Sequence, residues 1–240
     1  MKLTTPVGNS FDRQVYSLAV SGNPLGTPQD VVVADFNGDT WPDLAVAVYD
    51  RNAVSILLND RRGGFSLPPI EVPLAPSNRP TSSPRGIGPV ALLAGDFNGL
   101  GGIDLAVVNS FSSNVAILLD FDGLRFTGEN YVNVGTLPNS IASGYLDADN
   151  DLDLIVTNDL ANPSGSVRNV SILRNNGQGT FTADAAPPMA GNNPSAVVTG
   201  YFNADTLLDL AITDFGTNPK GADLGDVRVL LQNVNGTFQS

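Results

Sequence analysis

The stretch Asp35-Phe36-Asn37-Gly38-Asp39-Thr40-Trp41-Pro42-Asp43 sets side-chain oxygens at positions 1, 3, 5 and 9 of a short loop, with glycine at position 4. A hard cation such as Ca²⁺ takes about six to eight oxygen ligands at about 2.3–2.6 Å. Alternate positions of a tight loop can aim at one centre, which makes Asp35, Asn37, Asp39 and Asp43 the expected ligands. The main-chain carbonyl of Trp41 at position 7 is a further donor, and water supplies the remainder. Three carboxylates balance a divalent charge, and no soft donor is present to favour zinc or copper. The bland alternative is an Asp/Asn/Gly turn whose side chains satisfy the loop's own backbone amides.

Three further loops share the register but not the full donor set. The second keeps Asp96, Asn98 and Asp104, with Leu100 at position 5. In the third, Tyr145 takes position 1, while Asp147, Asp149, Asp151 and Asp153 crowd the rest and repel one another unless a cation joins them. The fourth has Tyr201 at position 1, followed by Asn203, Asp205 and Asp209, and is the poorest in carboxylates. Tyr145 and Tyr201 are expected to pack between units rather than to ligate. The pattern resembles the first half of an EF-hand loop, without its bidentate Glu at position 12 or its flanking helices.

These acids do not read as catalytic. Paired carboxylates hydrolyse glycosides from one shared cleft, with one pKa raised, whereas here each cluster recurs beside its own turn. The chain has no Cys and no His, so thiolate metal sites, disulfides and the commonest general base are all absent. No glycine-rich phosphate loop stands out. A net charge of −12, from 24 acidic and 12 basic side chains, disfavours nucleic acid and anionic membrane surfaces and favours cations. No apolar run approaches a membrane span, and no signal peptide is read in residues 1–6.

The elements that position the loops are repeated. Four segments align without gaps: PQDVVVADFNGDTWPDLAV from Pro28, PVALLAGDFNGLGGIDLAV from Pro89, PNSIASGYLDADNDLDLIV from Pro138 and PSAVVTGYFNADTLLDLAI from Pro194. Their closing aspartates, Asp43, Asp104, Asp153 and Asp209, are spaced by 61, 49 and 56 residues, so insertions separate cores of constant register. Each unit shows short apolar runs, 31–36, 44–49 and 53–58 in the first. Turns rich in Asn, Asp and Gly and ending in Phe follow, at 59–65, 120–126, 175–181 and 232–238, with hairpin chemistry. A fourth strand is expected after the Phe, over 65–74 or 126–134. Four-stranded units of about 50 residues predict an all-β propeller whose neighbouring blades bury each other's faces. The chain is read as one repeat domain, 1–240, with blade cores 28–74, 89–134, 138–186 and 194–240. A strand within 8–22 is expected to complete the last blade and clasp the ring; a fragment of a larger ring is the alternative.

The Asp-x-Asn-x-Asp-x-x-x-Asp-Leu loop, the proline seven residues ahead of it and the Gly-x-Phe hairpin together resemble the FG-GAP or VCBS repeats of integrin α-subunit propellers and secreted bacterial proteins. The literal Phe-Gly and Gly-Ala-Pro motifs are missing, so the bacterial style is the closer match. The resemblance implies a propeller, usually seven-bladed, with Ca²⁺ in the loop between the first two strands of some blades. It also implies an extracellular adhesion or ligand-binding role.

The inserted segments 73–88, 160–169 and 215–226 are polar and rich in Pro, Gly and Asn, and they are where a propeller would carry contacts to a protein or glycan ligand. Exposed aromatics there would favour a lectin-like carbohydrate-binding or targeting module, and Phe215 is the main one present. A third reading is a structural repeat fragment that self-associates. Asn169-Val170-Ser171 and Asn235-Gly236-Thr237 match glycosylation acceptors, a pattern that often arises by chance, and no Arg-Gly-Asp triplet occurs.

Overall fold

A computed structural model describes residues 14–19, 26–75, 85–160, 169–191, 193–216 and 225–239. Four sheets follow one another along the chain, each of four antiparallel strands in sequential order. The first blade holds β1 (Pro28–Ala34), β2 (Asp43–Val48), β3 (Ala53–Leu57) and β4 (Ile70–Pro73), and the second holds β5 (Pro89–Gly95), β6 (Asp104–Asn109), β7 (Asn114–Phe121) and β8 (Phe126–Asn133). The third comprises β9 (Thr136–Gly144), β10 (Asp153–Leu160), β11 (Val170–Asn175) and β12 (Phe181–Ala183), and the fourth β13 (Pro194–Gly200), β14 (Asp209–Asp214), β15 (Asp226–Gln232) and β16 (Phe238–Gln239). These are the blades of a β-propeller.

The prolines that marked the repeat sit at or near the start of each first strand, where a missing N–H costs least. In every blade the residue after that proline (Gln29, Val90, Asn139 or Ser195) is skipped by the pairing register, a bulge that twists the strand into its blade. The fourth strand of the first blade is shorter than the expected 65–74. It begins at Ile70 because Pro68 and Pro69 cannot donate to the ladder.

The middle strands are buried on both faces, which is why they read as unbroken apolar runs. One apolar cluster lies between each pair of consecutive sheets. Ala45, Ala47, Val54 and Ile56 meet Leu92, Leu105, Val107 and Leu118 in the first seam. Ala106, Val108 and Ile117 meet Leu154, Val156 and Leu173 in the second. Ile155, Val170 and Ile172 meet Val197, Leu210 and Ile212 in the third.

The two end sheets differ. The outer face of the first, with Val46, Val48 and Leu57, is covered by Tyr16 and Leu18. Tyr16 meets Phe65 edge-on at 5.3 Å, and Arg51 Nη1 donates to the Leu18 carbonyl at 2.7 Å. The described part of 8–22, residues 14–19, rests on the first blade, while the last blade has its own fourth strand, pairing Leu231 with Gln239 and Gln232 with Phe238. The physical reason is proximity, since this stretch lies just ahead of β1 and finds an apolar sheet face within short reach. The remainder, 8–13 and 20–22, lies outside the described residues. The outward face of the fourth sheet leaves Val198, Phe202, Val227, Val229 and Leu231 exposed.

Candidate functional site

All four β1–β2-type loops are built on the same two devices. The first is the closing aspartate, fully buried in every blade. Asp43 Oδ2 accepts the amide of Phe36 at 3.1 Å and Oδ1 that of Asn59 at 2.8 Å. Asp104 does the same with Phe97 (2.8 Å) and Asp120 (2.9 Å). Asp153 does so with Leu146 (3.2 Å) and Asn175 (2.8 Å), and Asp209 with Phe202 (2.9 Å) and Gln232 (2.9 Å). Each carboxylate thus ties the start of its loop to the entry of the hairpin after the third strand. Burial pushes Asp43 and Asp104 above the usual carboxylate range and Asp153 up to about 6. The second device is the apolar residue at position 2. Phe36, Phe97 and Leu146 are buried plugs in the seam to the next blade, and Phe202, with no following sheet among the described residues, is exposed.

In the first loop, Asp35 Oδ1 and Asn37 Oδ1 both accept the amide of Asp39, at 3.0 and 2.9 Å, so positions 1 and 3 converge on one point. Asp35 Oδ2 accepts from Thr40 N, and Asp39 Oδ1 from Trp41 N. The other oxygen of Asp39 meets Arg61 Nη2 at 2.9 Å, and that guanidinium holds the Asp39 carboxyl below its ordinary range. The second loop is similar: Asp96 accepts from Gly99 and Gly101, and Asn98 accepts from Leu100 while donating to Asp120. Both loops turn through left-handed backbone at position 4 (Gly38, φ 73°; Gly99, φ 71°) and position 6 (Thr40, φ 71°; Gly101, φ 81°). Thr40 is branched at Cβ and adopts this conformation against its own preference.

The other two loops carry Ala148 and Ala204 at position 4, without a left-handed turn there. In the third, Asp147 Oδ1 accepts the amide of Asp149 at 3.2 Å. Asp149 accepts from Asp151 N, and Asp151 itself lies beside Gly177. Arg174 supplies the cation: its Nη1 lies 3.2 Å from Asp153 Oδ2 and 3.6 Å from Asp147 Oδ2, and its Nε is 3.4 Å from Asp184. Sequence reading missed this residue, which stands at the end of β11 where the other blades have Leu58, Leu119 and Leu231. In the fourth loop Asn203 and Asp205 bond mainly to each other, with Asp205 capping Leu207 N.

Among the described residues, no three acidic side chains gather closely enough to form a metal cluster. The first loop still offers an all-oxygen donor set, two members of which converge, and that set fits a hard cation. In the third loop Arg174 sits against Asp147 and Asp153, as Arg61 sits against Asp39 in the first.

Tyr145 and Tyr201 do not pack between blades. They are 56% and 66% exposed and line a cleft of about 610 Å³ at the rim of the seam between the third and fourth blades. Packing inward is blocked because position 2, not position 1, points into the seam. Of the glycosylation triplets, Asn169 is fully buried and bonds to the Gly191 carbonyl at 2.7 Å. The inserted segments expected to carry ligand contacts lie largely outside the described residues, at 76–84, 161–168 and 217–224.

Four-stranded blades joined through aspartate-clasped loops define a repeat protein of the β-propeller class. The chain matches the FG-GAP-like repeat over residues 35–107 and 146–212, more than half of its length, and belongs to that family. A crystal structure of a protein from Lactobacillus plantarum superposes with a TM-score of 0.57 at 12% identity, covering 89% of this chain and 54% of that one. This is a likeness of fold, and the chain spans about half the length of that protein. An Agrocybe aegerita lectin, solved for its specific recognition of non-reducing terminal N-acetylglucosamine, aligns with a TM-score of 0.49 at 17% identity over 91% of this chain and 67% of its own. No curated protein matches the sequence.

Proposed function

We propose that the chain is a non-catalytic, extracellular β-propeller module for adhesion or ligand binding, with Ca²⁺ held in its first loop. The observation that carries the calcium reading is the convergence of Asp35 and Asn37 on the single amide of Asp39. A cation bound there would be held by Asp35, Asn37, Asp39, Asp43 and the Trp41 carbonyl, and would supply fixed positive charge that rigidifies the loop. The second loop, through Asp96, Asn98 and Asp104, is a weaker site of the same kind. The clasping role of all four closing aspartates supports a structural rather than catalytic use of the acids. The extracellular assignment rests on the family. Among the described residues no helix is long and apolar enough to cross a membrane.

Calorimetric titration of chelator-stripped protein with Ca²⁺ tests this. Saturable heat and a raised melting temperature, both lost in Asp39→Ala, are expected; no heat and no thermal shift would leave the loops as turns. A second reading, self-association, is favoured by the exposed face of the fourth sheet. Val198, Val227, Val229 and Leu231 stand at the register positions that Leu93, Val115, Ile117 and Leu119 use to receive the third blade. A second copy of this chain, seated there, would appear as a dimer in sedimentation.

A further inference from the structure

The four loops divide into two pairs. The first two keep Asp at position 1 and Gly at position 4, whereas the last two change together to Tyr and Ala. The exchange removes a carboxylate and a left-handed turn, and it places two aromatic rings at the mouth of one cleft. We infer that the cleft between the third and fourth blades is a binding site for a neutral sugar, with Tyr145 and Tyr201 as its stacking platforms. This rests on the reading of the chain as a ligand-binding module and names the class of ligand.

The cleft is held in shape. Gln232 Nε2 donates to the Leu146 carbonyl at 2.6 Å across its floor, with both residues buried. Arg174 spans the two walls: it pairs with Asp147 and Asp153 of the third loop while its Nη2 donates to the Gly236 carbonyl of the fourth-blade hairpin at 3.2 Å. An ion that could leave is thereby replaced with a covalently attached cation, so the walls stay in register without a metal. Preorganisation of this kind lowers the ordering cost of binding.

The lining has the right chemistry. Neither tyrosine hydroxyl has a hydrogen-bond partner among the described residues. The carboxamide of Asn150 and the amide nitrogen of Asn235 are likewise uncommitted, while Asn235 Oδ1 is engaged by Thr237. An exposed phenol ring offers an apolar face to the C–H side of a pyranose and a hydroxyl to its rim, and carboxamides donate and accept toward vicinal hydroxyls. A cleft that is apolar in its body with a few uncommitted polar groups is the usual form of a small-ligand site. The walls are loop and turn, so an extended peptide finds no strand edge to pair with, and an anionic sugar would meet Asp147 and a net charge of −12.

The test is a ¹⁵N-NMR and calorimetric titration with glucose, galactose, mannose, N-acetylglucosamine and their short oligomers, using galacturonate as the anionic control. Saturable binding of at least one neutral sugar is expected, with shifts at Tyr145, Asn150, Tyr201 and Asn235. Tyr145→Ala and Tyr201→Ala should each weaken it at least tenfold and leave the melting temperature unchanged, because both side chains are exposed, and Tyr201→Trp should retain it. Binding by none of these sugars, preference for galacturonate, or affinity unaltered in both alanine variants would overturn the assignment. Melts with and without Ca²⁺ on the same samples separate the two readings. A calcium-dependent melt without sugar binding sinks only the sugar site, and sugar binding with a calcium-independent melt sinks only the calcium loop.

Discussion

Arg174 Nη1 lies 3.2 Å from Oδ2 of Asp153, the oxygen that also accepts the Leu146 amide, while Oδ1 accepts from Asn175. One carboxylate thus joins a guanidinium, a loop and a hairpin inside a single blade. Asp153 is fully buried and Arg174 is largely so, which makes the pair matter more than a surface ion pair would.

Arg174→Met keeps the length of the side chain and removes its charge, leaving Asp147, Asp153 and Asp184 without their common counter-ion. The expected loss is about 2 kcal/mol or more at pH 7. It should shrink at pH 5, where Asp153 takes up a proton. Urea denaturation of wild type and variant at both pH values measures the difference, and equal losses would contradict the pairing.

The Asp153 carboxyl should titrate near 6 in the folded protein, pushed up by burial and by Asp147 against the pull of Asn175 N and Arg174. In the unfolded chain the value falls to about 3.9. Between those two values the native state binds the extra proton, so this group's contribution to stability is fully present below about 4 and lost as pH rises through about 6. Carboxyl ¹³C shifts followed from pH 3 to 8 give the midpoint directly. In Arg174→Met the midpoint should move higher still.

Asp104→Asn swaps one acceptor oxygen for an amide donor that faces the N–H of either Phe97 or Asp120. A buried donor left unsatisfied costs about 1–3 kcal/mol, which for a domain of this size lowers Tm by roughly 2–4 °C per kcal/mol. Asp209→Asn should behave alike through Phe202 and Gln232. A melt within a degree of wild type would mean that the clasp is dispensable.

Arg61 competes with any cation for Asp39. Because its side chain is mostly exposed, the pair is weak, and Arg61→Ala should tighten calcium binding only about two- to fivefold with little change in stability. Calorimetry on the two proteins side by side reads this out, and weaker binding in the variant would place the cation elsewhere.

Blade number, strand order and loop register were legible because they depend on local chemistry. Proline cannot donate a ladder bond, apolar runs mark the buried middle strands, and Asp/Asn/Gly turns recur at constant offsets. The closing aspartates were legible as important, and their amide-clasping geometry was the part the spacing could not show. A carboxylate that accepts two backbone N–H groups and one that awaits a cation have the same sequence. Tyr145 and Tyr201 stand at the rim rather than between blades because position 2 fills the seam, with Phe36, Phe97 and Leu146. A signal did exist, in the paired change of positions 1 and 4 in the last two loops.

The sequence by itself determined a chain of four-stranded blades, each with an oxygen-rich loop in a set register, because strand periodicity and turn chemistry act over a few residues. Tertiary structure decided which groups meet. Arg174 reaches a carbonyl 62 residues away in the next blade, and Gln232 one 86 residues away, contacts that exist only once the sheets have stacked. It also decided which carboxylates meet a guanidinium, Asp39 beside Arg61 and Asp147 and Asp153 beside Arg174. Burial and distance set that outcome, and both belong to the packed molecule rather than to the spacing of its residues.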